Sequence, residues 1–201
     1  RNRKDTVCIT AAMREGTGLV PYAKAFPNRY YDVGIAEGHG VTFAAGLATE
    51  GVRPIVAIYS TFLQRAFDHI VHDAAIQHLP VVFCMDRSGI AGEDGPTHHG
   101  ALDIAYMRCI QGMIVATPKD GNELRHLLYT ALGHNGPFAI RYPKASSVSF
   151  DPQGQSELLP IGSWEVVLQG NDVAILALGA QVRDAVNAAD QLAQEGVSAE
   201  I

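Results

Sequence analysis

The stretch that decides the fold is Tyr30-Tyr31-Asp32-Val33-Gly34-Ile35-Ala36-Glu37-Gly38-His39-Gly40, where a short apolar run gives way to a helical pattern. A strand that passes directly into a helix is typical of α/β proteins, which bind ligands at the carboxyl edge of the sheet. Glu37 is therefore expected at that edge. The small residues Ala36, Gly38 and Gly40 would let a backbone or a ligand come close to it. Most loop acids are simply solvated, so the role of Glu37 depends on the rest of the chain.

Apolar runs alternate with helical patterns on both sides of this stretch, which predicts a doubly wound, mostly parallel α/β sheet. The predicted strands are residues 6–12, 30–33, 53–59, 80–86, 113–117 and 137–142. The predicted helices are residues 19–26, 38–49, 61–79, 101–109 and 120–132. Thr61 and Gln64 have the spacing of a capping box at the start of the third helix. Its apolar face is predicted to comprise Leu63, Ala66, Phe67, Ile70 and Ala74.

The chain is predicted to contain one α/β domain at residues 1–145, a linker at 146–162 and the start of a second α/β domain at 163–201. Residues 146–160 are rich in Ser, Gln, Gly and Pro and lack periodicity, as linkers often do. Strand patterns at 164–168, 173–178 and 197–201 then surround a helical pattern at 181–195. The chain begins without Met and ends within a strand pattern, so we expect a truncated fragment of a longer protein.

Composition narrows the classes of function. The chain has 201 residues, 47% of them hydrophobic, and a formal net charge of −6 with its basic residues scattered. This balance argues against nucleic-acid binding and against binding to anionic membranes. No apolar run is long enough to span a bilayer. Cys8 and Cys84 lie in strand patterns, and the three cysteines lack metal-ligand spacing, so we expect core thiols in a reducing, cytoplasmic setting.

The first candidate site combines Glu37 with Tyr59, Phe62 and Arg65. Tyr59 ends a predicted strand, and Phe62 and Arg65 are three residues apart on the first turn of the next helix. An acid beside an aromatic face suits a flat, basic heterocycle that stacks and shares a proton. The alternative is that Phe62 is an ordinary core residue and Arg65 a surface cation.

The second candidate site is the loop of residues 86–100, which follows a strand and gathers charged groups. Arg87 could hold a phosphate or carboxylate through its two-pronged guanidinium. His98 could exchange protons near neutral pH, and Asp94 lies between the two. The alternative is a charged surface loop, although loops in this position often carry function.

A metal site is the weakest of the candidates. His69 and His72 are three residues apart within Asp68-His69-Ile70-Val71-His72-Asp73 and could share one ion. No further ligand at matching spacing completes the set. A polar helix flank or subunit contact is the favoured interpretation, and no metal ligand is predicted in this chain.

Several motifs in order resemble the 1-deoxy-D-xylulose-5-phosphate synthase family. They are Tyr31-Asp32-Val33-Gly34-Ile35-Ala36-Glu37, residues 57–68, Asp86-Arg87-Ser88-Gly89, Asp94-Gly95-Pro96-Thr97-His98 and Arg141-Tyr142-Pro143. The resemblance covers nearly the whole chain and implies the pyrimidine-type domain of a thiamine diphosphate-binding fold, followed by the start of a transketolase C-terminal domain. Transketolase shares the glutamate and the Asp-Gly-Pro-Thr-His loop, but the run at residues 59–66 is typical of the synthase.

This resemblance implies a transferase that condenses pyruvate with D-glyceraldehyde 3-phosphate to 1-deoxy-D-xylulose 5-phosphate and CO2. That reaction begins the non-mevalonate route to isoprenoids and also serves thiamine biosynthesis. The resemblance further implies a homodimer that uses thiamine diphosphate and Mg2+. The diphosphate and Mg2+ would be held by a separate N-terminal domain with a Gly-Asp-Gly motif, which is absent here. We therefore expect this segment alone to be inactive and to bind the cofactor weakly.

The resemblance also assigns roles to individual residues. It implies that Glu37 is the catalytic glutamate that hydrogen-bonds the aminopyrimidine ring, with Phe62 stacked on that ring and Arg65 beside it. It implies that the substrate channel is lined by Tyr59, Arg87, Asp94 and the catalytic His98. Arg87 is the expected ligand of the acceptor's phosphate.

Two positions depart from the family pattern. Gly38-His39-Gly40 stands where Gln-His-Ala is usual, and the small residues are expected to be tolerated. Lys144 stands where a second phosphate-binding arginine usually follows Tyr-Pro. Lysine keeps the charge but loses the fork, so phosphate affinity is expected to fall unless Arg141 assists.

Three other functions are open at this point. The first is two-carbon transfer of the transketolase type, which uses a ketose donor in place of pyruvate. The second is a non-catalytic α/β module with a degenerate site, although such a module would be expected to lack Glu37 or the His98 loop. The third, a metalloenzyme that uses His69 and His72, has the least support.

Overall fold

The computed structural model describes residues 3–147 and 150–201 of the chain. The chain divides into two units. The first extends to Ala116 and includes Ala131–Ala145, and the second comprises Thr117–Thr130 and the residues from Ser146 onward. None of the helices in the described part of the chain has the length and apolar character that crossing a bilayer requires.

The first unit contains a six-stranded sheet in which every strand pair is parallel, so the predicted α/β sheet is confirmed. Its strands are β1 (Thr6–Thr10), β2 (Tyr30–Asp32), β3 (Arg53–Tyr59), β4 (Val82–Asp86), β5 (Ile114–Ala116) and β6 (Phe138–Arg141). They lie in the order β2-β1-β3-β4-β6-β5. The chain therefore changes direction across the sheet between β1 and β3, and α/β proteins bind ligands beside such a reversal.

The chain also contains seven α-helices among the described residues. They are α1 (Val20–Ala25), α2 (Glu37–Thr49), α3 (Ser60–Leu63), α4 (Phe67–His69), α5 (Asp103–Arg108), α6 (Gly121–Gly133) and α7 (Gln181–Gln194). Short 3-10 turns occur at Pro27–Arg29, Gln64–Ala66, Gly92–Asp94 and Pro96–His98. The Gly- and Ala-rich side of α2 faces the core of its own unit, where Gly40, Ala44, Ala45 and Ala48 are all buried.

The core of the first unit lies around the central strands. Ile9, Val56, Ile58, Phe83 and Met85 are fully buried members of one apolar cluster. Because both faces of these strands are covered, they read as continuous apolar runs in the sequence. Cys8 and Cys84 are buried, as predicted, and Cys109 is exposed.

The prediction of one helix over residues 61–79 is wrong. The segment begins as α3 and α4 with a 3-10 turn between them and continues as a π-helical stretch, Ile70–Ala75. This change of winding rotates the side chains out of a single 3.6-residue pattern. Phe67, predicted to face the core, is consequently 37% exposed.

The capping box predicted at the start of that helix is also wrong. The helix starts at Ser60, and no side chain caps it. The Gln64 amide instead donates to the Thr61 carbonyl at 2.8 Å. In a capping box, the side-chain oxygen of Gln64 would instead accept a hydrogen bond from the backbone N–H of Thr61.

The second unit contains a short parallel pair, β7 (Val173–Ala174) and β8 (Ala199–Glu200), together with α7. The prediction of a strand at residues 164–168 is wrong, because backbone bonds to Ile201 from Val167 and Leu168 do not extend into a ladder. The strand predicted at 173–178 is shortened to β7, and beyond it the Ile175 amide makes one further backbone bond to Glu200.

Candidate active site

The carboxyl ends of the strands bring most of the predicted site residues to one edge of the sheet. Tyr59 is in register with Asp86, so the ends of β3 and β4 lie side by side. Met85 is in register with Arg141, which places the end of β6 next in line. Side chains that follow different strands can therefore meet here, although they are far apart in sequence.

Glu37 is the first residue of α2 and is 3% exposed. Its Oε1 accepts a hydrogen bond from Nη1 of Arg65 at 2.7 Å. Among the described residues, none donates a hydrogen bond to Oε2. The first turn of α2 and the Arg65 guanidinium both lie beside this carboxyl group, so its burial is offset by a charge-assisted hydrogen bond. One carboxylate oxygen is thus held by the protein, and the other is left to accept a hydrogen bond from a ligand.

Gly38 is next to Glu37, and its missing side chain has a structural explanation. A Cβ on Gly38 would lie 2.6 Å from Cε1 of His69 and 2.9 Å from Nε2. The imidazole therefore occupies the space that a larger residue at position 38 would need. Nδ1 of His69 is buried without a hydrogen-bond partner in the described part of the chain. His69 and Gly38 thus form a packing pair beside the buried carboxylate.

Aromatic rings lie next to the Glu37–Arg65 pair. The guanidinium of Arg65 lies 4.9 Å from the centre of the Phe62 ring, so these residues share a face as predicted. The Phe62 ring is stacked against Tyr59 at 6.0 Å and meets His98 edge-on at 5.2 Å. Phe62 packs against the apolar core and is only partly buried, so part of its ring is accessible. This arrangement offers an aromatic surface to a flat ligand.

Arg87 lies on the other side of Tyr59, with its guanidinium 3.8 Å from the centre of that ring. Its Nε donates to Asp94 and its Nη1 to Asp86, both at 2.9 Å. Arg87 has a φ of 60°, a left-handed conformation that is uncommon outside glycine. Its side chain is only 11% exposed, so the two carboxylates and the tyrosine ring determine its orientation.

Lys144 joins the same network. Its Nζ lies 2.7 Å from Oδ1 of Asp94 and 3.1 Å from Oε1 of Glu93. Asp94 therefore bridges the two cations that the sequence predicted as phosphate ligands. Arg141 is paired elsewhere, because its Nε donates to the buried carboxylate of Asp103 at 2.9 Å. The structure thus brings Lys144 and Arg87 to one carboxylate, and it gives Arg141 a different partner.

Charges and burial shift the pKa values of this network in opposite directions. Hydrogen bonds from Lys144 and then Arg87 lower the pKa of Asp94 below its usual value. Burial raises the pKa of Asp86, and this effect outweighs the attraction of Arg87. Burial also raises the pKa of the Tyr59 hydroxyl. Asp94 is thereby kept ionised, which strengthens its hold on both cations.

Sequence reasoning missed the loop after β1. The carbonyl of Gly16 accepts a hydrogen bond from Nη1 of Arg87 at 3.3 Å, and the thioether of Met13 accepts one from the Tyr59 amide at 3.4 Å. The only available signal was Gly16-Thr17-Gly18 directly after a strand, which indicates a loop but no partner.

The candidate metal pair is not assembled into a metal site. Nδ1 of His72 lies 2.9 Å from Asp68, and the ring of His69 packs against Gly38. Within residues 3–147 and 150–201, no group of three or more His, Cys, Asp or Glu side chains is placed to hold a metal ion.

Family profiles match most of the chain. Residues 1–148 match the family described as transketolase, pyrimidine binding domain, and residues 162–201 match transketolase, C-terminal domain. Among solved structures, the chain is similar to a split-gene transketolase described as an inactive beta4 tetramer. The TM-score is 0.83 at 32% identity, over 98% of this chain and 63% of that one. Transketolase from Campylobacter jejuni gives a TM-score of 0.83 at 19% identity, over 99% of this chain and 32% of that one, which shows the fold alone.

Curated relatives are more similar in sequence. The chain is 59% identical over 196 residues to 1-deoxy-D-xylulose-5-phosphate synthase of Thermomicrobium roseum, which covers 97% of this chain and 31% of that protein. It is 54% identical over 191 residues to the synthase of Aquifex aeolicus, which covers 95% and 30%. The resemblance to the synthases is confirmed, and the chain spans less than a third of their length. From the match over residues 1–148 and the parallel sheet, we conclude that the chain belongs to the transketolase pyrimidine-binding domain family.

Proposed function

We propose that this chain supplies the pyrimidine-binding half of the active site of a 1-deoxy-D-xylulose-5-phosphate synthase. The observation that carries the proposal is the buried carboxylate of Glu37, with one oxygen held by Arg65 and the other free of partners among the described residues. The relatives at 59% and 54% identity bear the name of this enzyme and support the same proposal.

The residues at the site fit thiamine diphosphate. A carboxylate with one unpartnered oxygen can accept a hydrogen bond from a protonated ring nitrogen, and the partly buried Phe62 ring offers a stacking surface nearby. Glu37 would hold that proton on the ring while its hydrogen bond with Arg65 fixes the orientation of the carboxyl group. When bound, thiamine diphosphate supplies the nucleophilic carbon that the reaction with pyruvate needs.

The acceptor, D-glyceraldehyde 3-phosphate, would bind on the other side of Tyr59. Arg87 and Lys144 provide two cations for its phosphate, and both contact Asp94. His98, whose ring lies 5.2 Å from that of Phe62, would stand between the phosphate site and the aromatic surface. From there it could donate or accept a proton at the acceptor's carbonyl or hydroxyl oxygen. The pairing of Arg141 with Asp103 makes Arg141 a support for the end of β6 in this proposal.

Magnesium and the diphosphate would be held by a part of the full-length protein outside this chain. In the described residues, no cluster of carboxylates or histidines offers a cation site. We therefore propose that the isolated chain binds the cofactor weakly and does not turn over.

Transketolase activity is the second candidate, and it has weaker support. The named synthases reach 59% identity to this chain, whereas the transketolase structures lie between 19% and 32%. A ketose donor in place of pyruvate would distinguish transketolase in the assay below.

We also propose a cytoplasmic homodimer, with domain boundaries at 1–145, 146–162 and 163–201. An apolar groove lined by Phe67, Leu102 and Tyr106 supports a covering subunit or domain, because large exposed apolar surfaces commonly mark interfaces. The two buried cysteines support a reducing compartment.

The proposal is tested with the full-length enzyme, pyruvate and D-glyceraldehyde 3-phosphate, with CO2 release and sugar phosphate formation followed together. Glu37→Gln removes the charge with little change in volume, and we expect kcat to fall about 100-fold or more. Glu50→Gln, at the exposed other end of α2, is the matched control and should leave kcat unchanged. Near-native turnover by Glu37→Gln would contradict the role of Glu37. Activity with a ketose donor but not with pyruvate would favour transketolase.

A further inference from the structure

We propose that Gly16, in the loop after β1, is a positioning residue that seats Tyr59 and Arg87 in the anion-binding part of the site. Its catalytic consequence rests on the proposed function, whereas the contacts themselves do not. Gly16 lies 43 and 71 positions before the two residues that it contacts, so only the folded chain brings them together.

The space at Gly16 is occupied by the end of the Tyr59 side chain. A Cβ on Gly16 would lie 1.6 Å from the Tyr59 hydroxyl oxygen and 2.7 Å from Cζ. Both distances are well inside van der Waals contact, so alanine cannot be accommodated unless the tyrosine moves. The φ of Gly16 is not in the left-handed region, so glycine is needed here for space and not for backbone conformation.

The Tyr59 ring cannot move without disturbing its neighbours. The Arg87 guanidinium lies 3.8 Å from the ring centre, and the Phe62 and His98 rings lie 6.0 Å and 6.2 Å away. The backbone amide of Tyr59 is held by Met13 in the same loop as Gly16. Displacement of the ring would therefore shift the surface on which Arg87 rests.

Gly16 also contacts Arg87 directly. Its carbonyl accepts a hydrogen bond from Nη1 at 3.3 Å, while Asp94 and Asp86 accept bonds from Nε and Nη1. Among the described residues, Nη2 has no hydrogen-bond partner. This nitrogen is therefore the part of the guanidinium that is left to bind a phosphate. Gly16 thus orients Nη2 of Arg87 in two ways. Its carbonyl accepts a hydrogen bond from Nη1, and its missing side chain leaves room for the Tyr59 ring that packs against the guanidinium.

This geometry predicts a selective defect in Gly16→Ala. We expect the full-length variant to show a KM for D-glyceraldehyde 3-phosphate raised about tenfold, as for a weakened hydrogen bond to a charged group. We expect kcat to fall as well, because the displaced Tyr59 ring lies against the Phe62 and His98 rings. The KM for pyruvate should change by no more than about twofold, because no contact to Glu37 is altered. Unphosphorylated D-glyceraldehyde should show no change in KM, since it lacks the group that Arg87 binds.

Two companion variants separate positioning from general damage. Tyr59→Phe removes the hydroxyl that the new Cβ would meet. Adding Gly16→Ala to Tyr59→Phe should therefore weaken binding of D-glyceraldehyde 3-phosphate less than adding Gly16→Ala to the wild-type enzyme. Gly46→Ala is the control, because it adds a Cβ at an exposed position of α2 where no atom lies within 4 Å. It should leave each KM unchanged and should not lower stability.

Binding of inorganic phosphate to the full-length protein, measured by calorimetry, keeps the test independent of turnover. We expect Gly16→Ala to weaken phosphate binding about tenfold, even if the wild-type protein fails to use pyruvate and the proposed reaction is wrong. If Gly16→Ala does not fold, Tyr59→Leu removes the ring beneath Arg87 and should weaken phosphate binding similarly. An unchanged phosphate Kd in the folded variant, or equal losses with phosphorylated and unphosphorylated acceptors, would overturn the inference.

Discussion

Replacement of Arg65 by glutamine tests whether the burial of Glu37 makes their ion pair contribute more to the free energy of unfolding than an exposed pair does. The pair joins Nη1 and Oε1 at 2.7 Å, with the glutamate side chain 4% exposed and the arginine 57% exposed. Arg65→Gln removes the positive charge while Glu37 stays in place. The variant therefore leaves a carboxylate in a buried position without its counter-charge.

The magnitude follows from the unequal exposure of the two partners. A hydrogen bond to a charged group contributes about 1.5–3 kcal/mol, whereas a fully exposed pair contributes at most about 1 kcal/mol. In the variant, water can occupy the space left by the Arg65 guanidinium and solvate Glu37 in part. The lost hydrogen bond should therefore cost about 1.5 kcal/mol, at the low end of the range for a charged group. The contact of Arg65 with the Phe62 ring adds about 0.5 kcal/mol at an exposed position. We expect a free energy of unfolding lower by about 2 kcal/mol.

The assay is urea denaturation of the full-length protein without added cofactor, followed by circular dichroism. Arg14→Gln is the matched control, because Arg14 pairs with Glu15 at the same 2.7 Å while both side chains are well exposed. This control should leave the denaturation midpoint nearly unchanged, and Arg65→Lys should be intermediate. Equal shifts for Arg65→Gln and Arg14→Gln would refute the argument that burial of Glu37 determines the strength of its pair.

Three further predictions concern other parts of the first unit. Lys144→Ala should raise the KM for D-glyceraldehyde 3-phosphate about tenfold and leave unphosphorylated D-glyceraldehyde unaffected, as steady-state kinetics would show. Gly38→Ala should lower stability by about 1–3 kcal/mol in thermal unfolding, because its Cβ would meet the His69 ring, and a second change of His69→Ala should recover part of the loss. Burial raises the pKa values of the Cys8 and Cys84 thiols to about 12, so iodoacetamide at pH 8 should label them only after unfolding, as peptide mass spectrometry would detect.

Much of the fold follows from the sequence, because the signals that carry it are local. Buried parallel strands are continuous apolar runs, and the alternation of such runs with helical patterns predicts the parallel sheet. Glu37 was expected at the carboxyl edge of that sheet, and the three-residue spacing of Phe62 and Arg65 predicted their shared face. Periodicity failed at residues 61–79, where tertiary packing accommodates a π-helical stretch that no local pattern indicates.

Only the tertiary structure decides which of these residues meet. The partners Glu37 and Arg65 are 28 positions apart, Asp94 and Lys144 are 50 apart, and Gly16 and Arg87 are 71 apart. Composition and spacing cannot predict such contacts, because they depend on the order in which parallel strands lie across the sheet. That order sets the ends of β1, β3 and β4 side by side, so loops that are remote in sequence share one small space. Within that space, packing and charge select the partners, as they do for the buried carboxylate of Glu37.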